Sequence, residues 1–131
     1  MRLDWDDYFL GIARAVAARA DCSRRQVGAV VVDDHHRIVS TGYNGAPAGR
    51  PGCLTAGACP RAASGVPADS SYDTGAGSCI AVHAEANALL YADGMRTRGA
   101  VLYCTDKPCD GCQRLIDGAG IIRVVESSRK Q

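Results

Sequence analysis

His83, Glu85, Cys109 and Cys112 are the residues of this sequence whose types and spacing could do chemistry together. They stand in Cys79-Ile80-Ala81-Val82-His83-Ala84-Glu85-Ala86-Asn87 and in Lys107-Pro108-Cys109-Asp110-Gly111-Cys112. One neutral imidazole and two thiolates balance the charge of Zn²⁺ and leave its fourth tetrahedral position open, which separates catalytic from structural zinc. Water in that position is activated toward hydroxide. Glu85, two residues past His83, can reach such a water without binding the metal and move protons as general base and acid. The set predicts metal-assisted hydrolysis.

Those side chains need two helix starts. Cys109 and Cys112, three apart, share one face of a first helical turn, and a helix N-terminus favours thiolate. The sequence predicts a helix over Pro108–Asp117 and another over His83–Tyr91. Strands are expected at Gln26–Val32, whose unbroken apolar run suits burial on both faces, at Arg37–Thr41, at Gly99–Cys104 and at Ile121–Val125. Asp4–Ala20 reads as an amphipathic helix capped by Asp4, with Trp5, Phe9, Ile12 and Val16 on its apolar stripe. Hairpin, helix, strand, helix, strand predicts an α/β fold, a three-layer α/β/α sandwich on a mixed sheet. The strand–helix–strand unit should cross over right-handed. Residues 1–131 are expected to form one domain.

The remaining polar residues fall into three groups. Gly42-Tyr43-Asn44-Gly45 joins backbone that can approach a ligand closely to an amide with both donors and acceptors, or it is an ordinary turn. Cys22, Cys53, Cys59 and Cys79 either hold a second, structural zinc across the irregular stretch 50–78 or are free, buried thiols. Arg50 and Arg61 in that stretch suit a phosphate, or are solvated loop charges. His35 and His36, at an expected turn, are read as solvated rather than as ligands.

Composition narrows the function classes. A formal net charge of +1 and the lack of a Lys/Arg run argue against a broad nucleic-acid footprint or an anionic membrane surface. With one Trp, one Phe and five Tyr, a surface that stacks a row of single-stranded bases is not expected. The acidic start Met1-Arg2-Leu3-Asp4-Trp5-Asp6-Asp7 is not a secretion signal. Seven cysteines then point to a reducing, cytoplasmic setting in which thiols bind metal rather than pair.

On Val27-Gly28-Ala29-Val30, Gly42-Tyr43-Asn44-Gly45, His83-Ala84-Glu85-Ala86-Asn87-Ala88 and Pro108-Cys109-Asp110-Gly111-Cys112, the chain resembles the cytidine/deoxycytidylate deaminase superfamily. The resemblance runs from about Trp5 to Val125, and H-x-E…P-C-x-x-C is that superfamily's recognised pattern. His83 stands where free-cytidine deaminases usually carry Cys, which points to the nucleotide or RNA-editing branches, and the combination of motifs looks like the deoxycytidylate (dCMP) deaminases. The resemblance implies a cytidine deaminase-like fold and hydrolytic deamination of dCMP to dUMP and ammonia. It also implies substrate contacts from Asn44, Gly45 and Ala84, and assembly as a homo-oligomer. Glu126 stands where an aromatic residue often follows the last strand of that branch, so the residues that would read a 5′-phosphate have no match there. The competing readings are a zinc-dependent deaminase of another small aminated base or nucleoside, cytosine- or purine-type, and a non-catalytic zinc-binding module. The second would recruit Cys104 or Cys79 as a fourth ligand.

Overall fold

The computed structural model describes residues 1–57 and 80–127. Helix α1 (Trp5–Ala17) begins where the Asp4 carboxylate accepts the Asp7 amide at 2.8 Å. Acidic Asp6 and Asp7 in its first turn complement the helix dipole. A hairpin of β1 (Gly28–Val32) and β2 (Ile38–Tyr43) follows. Then come α2 (Cys53–Ala56), α3 (Ala84–Leu90), α4 (Gly94–Thr97), β3 (Val101–Cys104), α5 (Asp110–Gly118) and β4 (Arg123–Glu126).

The sheet is mixed, in the order β2-β1-β3-β4. β1 pairs antiparallel with both β2 and β3, while β3 and β4 run parallel. Every residue of β1 is buried, as its apolar run requires of a central strand. Phe9, Leu10 and Ala13 of α1 pack with Val30, Val32 and Tyr103 on one face. Ala84 and Ala88 of α3 and Ile116 of α5 pack with Ala29, Val31, Leu102 and Cys104 on the other. The three-layer α/β/α sandwich expected from element order is the one observed.

Two glycines set how closely the helices lie on the sheet. A Cβ at Gly28 would fall 2.1 Å from the Ala13 carbonyl oxygen, and one at Gly42 would fall 2.3 Å from the Ala88 amide nitrogen. Real Cβ atoms essentially never make such short non-bonded contacts, so the backbones of α1 and α3 can come this close to the sheet because glycine stands at these two positions. The apolar stripe of α1 departs from expectation only at Trp5: Phe9 is buried, and Ile12 and Val16 pack against the same core. Its buried face is Phe9, Leu10, Ala13 and Ala17, whereas Trp5 remains half exposed. The Trp5 ring lies instead parallel to that of His36, with centroids 4.0 Å apart. His36 is thus not simply solvated: it sits at the hairpin turn with φ of +60° and is stacked.

Candidate metal and catalytic site

His83 and Cys109 occupy equivalent positions on different helices. Each is an N-cap with extended backbone, His83 at φ −67°, ψ 154° and Cys109 at φ −75°, ψ 171°. Neither side chain bonds to its own first turn, so both can aim at a shared point. His83 Nδ1 lies 3.3 Å from Cys112 Sγ and 3.4 Å from Cys109 Sγ. Pro108 falls just outside α5, before its N-cap, rather than at the first helical position.

This geometry fits zinc. Bonds of about 2.0–2.1 Å to nitrogen and 2.3 Å to sulfur in a tetrahedron set N···S separations of about 3.6 Å. The observed separations need only a small outward adjustment. Electrostatics agree: Cys112 is buried, and burial, followed by the neighbouring Glu85 and Cys109, pushes its thiol pKa up. Groups that ionise at such cost call for a cation among them. Among the described residues the cluster closes at three donors, His83, Cys109 and Cys112. Cys104 is not one of them; it is fully buried at the end of β3, its thiol pushed up to about 12 by burial and by Glu85. Cys79 lies outside the described residues.

Glu85, in the first turn of α3, is 4% exposed. Burial raises its carboxyl above the usual range, against the pull of its own amide, His83 and Arg25. A carboxyl displaced upward holds and releases protons closer to neutral pH, as a proton shuttle must.

The Gly42–Gly45 segment is a junction. Asn44 Oδ1 accepts the Val27 amide at 2.8 Å, and Asn44 Nδ2 donates to the Arg25 carbonyl at 3.1 Å. Gly45 and Val82 exchange two backbone hydrogen bonds, 3.2 and 2.7 Å, immediately before His83. Asn87 Nδ2 donates to the Tyr43 carbonyl at 2.8 Å. The four residues therefore tie the α1–β1 connection to the helix that carries His83 and Glu85. Ala84 is fully buried in the core beneath Gly42, so its side chain faces the sheet.

Asp21, which follows α1, organises the neighbouring loop. Its carboxylate accepts the Gly52 and Thr55 amides at 3.0 and 2.9 Å and the Thr55 hydroxyl at 2.6 Å, holding the start of α2. Its carbonyl accepts the Cys53 amide, which brings the backbone beside Cys22 against Cys53. Cys22 Sγ accepts the Arg24 and Arg25 amides, both at 3.5 Å. Cys59 and Arg61 lie outside the described residues. Arg50 is exposed in a turn closed onto the Pro47 carbonyl.

An α/β/α sandwich that brings His, two Cys and a buried Glu to two helix starts defines a deaminase of the zinc-binding class. The chain belongs to the family described as the cytidine and deoxycytidylate deaminase zinc-binding region, whose model matches residues 3–128. It is 60% identical to the deoxycytidylate deaminase of Mycobacterium phage D29 across 95% of this chain and 94% of that protein. It is 42% identical to the deoxycytidylate deaminase of Schizosaccharomyces pombe across 95% of this chain, which spans only 37% of the yeast protein. Among solved structures, the dCMP deaminase of cyanophage S-TIM5 in complex with dCMP and dUMP superposes with a TM-score of 0.68 at 27% identity, covering 97% of this chain and 85% of that one.

Proposed function

We infer that this chain catalyses the hydrolytic deamination of dCMP to dUMP and ammonia. The observation that carries the reading is the buried Glu85 in the same helical turn as His83, which lies within 3.4 Å of both Cys109 and Cys112 thiols. His83, Cys109 and Cys112 hold zinc, which when bound supplies Lewis acidity and lowers the pKa of water toward neutrality. Glu85 takes a proton from the attacking water and delivers it to N3 of the cytosine ring as C4 is attacked. It then passes a proton to the departing amino group, which leaves as ammonia. Burial supports this role, because it keeps the carboxyl's proton affinity high enough for both halves of the cycle.

Asn44 keeps two of its amide's four hydrogen-bonding positions for substrate, the other two being spent on Arg25 and Val27. Gly45 and the main-chain N–H of Ala84, at a helix start where amides lack intrahelical partners, complete the substrate contacts.

Residues 1–131 act as one deaminase domain in a reducing, cytoplasmic setting. The domain works as a homo-oligomer, supported by the apolar surface of Leu90, Tyr91 and Met95, which are 66%, 65% and 84% exposed. A second, structural zinc on Cys22, Cys53, Cys59 and Cys79 is supported by the two amides aimed at Cys22 Sγ and by the backbone link to Cys53.

The test follows ammonia release from purified protein given cytosine and purine nucleosides and their monophosphates. Turnover of dCMP well above deoxycytidine is expected. Preference for a free nucleoside or for a purine would overturn the assignment, and metal analysis giving one zinc per chain would remove the second site.

A further inference from the structure

The segment Tyr43–Gly45, with the proposed substrate residue Asn44 at its centre, is held at two points by the stretch that carries His83 and Glu85. At one, Gly45 and Val82 exchange their backbone bonds just before His83. At the other, Asn87 Nδ2 donates to the Tyr43 carbonyl at 2.8 Å, well inside the range of a good hydrogen bond. Asn87 lies one turn past His83, and its amide donates to the His83 carbonyl at 2.9 Å. The side chain that holds Tyr43 and the imidazole that can hold a metal are thus fixed to each other.

The same segment is independently tied to the α1–β1 connection. The Asn44 amide donates to the Val27 carbonyl at 3.3 Å, and the Asn44 carbonyl accepts the Asp21 amide at 3.0 Å. The Asn44 side chain adds its bonds to Arg25 and Val27. Asn44 therefore stays with its half of the site whatever stands at position 87. Asn87 governs how that half sits against α3. An attachment at Gly45 alone is a pivot; the second, at Tyr43, removes the rotation.

We propose that Asn87 is a positioning residue, which acts through the Tyr43 carbonyl to set the placement of Asn44, and of the cytosine ring it contacts, relative to His83 and Glu85. The assignment rests on the dCMP reading above, which takes Asn44 as a substrate contact. Its effect falls on rate rather than affinity, because the contacts that hold the nucleotide survive while the reacting groups lose their alignment. Ser40 supplies the comparison. Its hydroxyl donates to the Ala88 carbonyl at 2.6 Å, joining the same helix to the same strand without touching 43–45.

The experiment measures kcat and KM for dCMP, per bound zinc, and calorimetric affinity for dUMP in wild type, N87A, N87D and S40A. Thermal unfolding and deuterium uptake over 43–46 are followed alongside. N87A should lower kcat about 10–100-fold, the size of a small misplacement of reacting groups, with KM and dUMP affinity nearly unchanged. N87D keeps the outline of the side chain but turns an acceptor toward the Tyr43 carbonyl, so its kcat should fall at least as far. Uptake over 43–46 should rise in both. S40A should melt at a lower temperature and keep wild-type kcat, KM and uptake over 43–46. Wild-type kcat in either Asn87 variant, or an equal kcat loss in S40A, overturns the proposal. So does a loss confined to KM and dUMP affinity, which would make Asn87 a binding residue. Failure of both Asn87 variants to fold or to retain zinc also overturns it, since the bond would then serve the fold as a whole. A wild type that prefers a free nucleoside overturns the mononucleotide reading alone, and the kcat ratio is then taken on that nucleoside with its deaminated product in place of dUMP.

Discussion

His83 Nδ1 and Cys112 Sγ lie 3.3 Å apart although 29 residues separate them in the chain. The separation is bridged by α3, α4 and β3, and both residues arrive at helix starts. Glu85 is carried to the same place by the turn that begins at His83.

Replacing Glu85 by Gln should lower kcat by about 10²–10⁴-fold, the range of a single positioned acid–base group. Zinc content should stay at the wild-type value, because the amide leaves the three donors untouched. Parallel rate and metal measurements check this. Wild-type turnover in E85Q would remove the proton shuttle from Glu85.

Asn44→Ala should destabilise the fold by about 1–3 kcal/mol, because it strands the Val27 amide and the Arg25 carbonyl. Denaturant midpoints measure the loss. Asn44→Asp keeps the acceptor for Val27 and loses the donor to Arg25, so it should fall between wild type and Ala.

Gly42→Ala should cost about 1–3 kcal/mol or more, since its Cβ would meet backbone atoms of Ala84 and Ala88 at 2.4 and 2.3 Å. Gly11→Ala is the control: nothing lies within 4 Å of its Cβ, and a helical Gly-to-Ala change there should stabilise by roughly 0.5–1 kcal/mol. Equal melting temperatures for the two variants would contradict this account of how α3 seats on β2.

Acid should loosen the contact between α1 and the parallel end of the sheet. The Arg123 guanidinium and the Tyr103 hydroxyl hold the Asp6 carboxyl below its ordinary value of 3.8. A carboxyl depressed in the folded state contributes stability that is fully present above the unfolded pKa and lost as pH falls through the folded one. Unfolding followed from pH 6 down to pH 2 should show wild type losing stability faster than Asp6→Asn below about pH 4. Parallel curves would mean that the Asp6–Arg123 pair contributes nothing.

The chemistry of the site was legible because it rests on local patterns. H-x-E and C-x-x-C fix side-chain directions within one helical turn, and the buried run of β1 announces a central strand. What the sequence withheld depends on distant partners. Arg25 and Asp106 are 81 residues apart, and neither residue's neighbours hint at the other. α2 has four residues and owes its start to Asp21, 31 positions before Gly52, so no local periodicity could reveal it. Asn44 was recognisable as a ligand-facing type, but its bonds to Arg25 and Val27 required knowing that the α1–β1 connection lies alongside it. Trp5 fitted a helical stripe and yet is half exposed, because its ring stacks on that of His36, a residue of the hairpin turn 31 positions away.

A helix ordinarily opens with a Ser, Thr, Asp or Asn oxygen that secures its first amides; α3 and α5 open with an imidazole and a thiol that give theirs nothing. The task of fixing both openings passes to whatever ion the donors share. Stripping the ion should therefore unlatch two segments at once, and deuterium uptake at 84–87 and 110–113 should rise together while the amides of β1 stay silent.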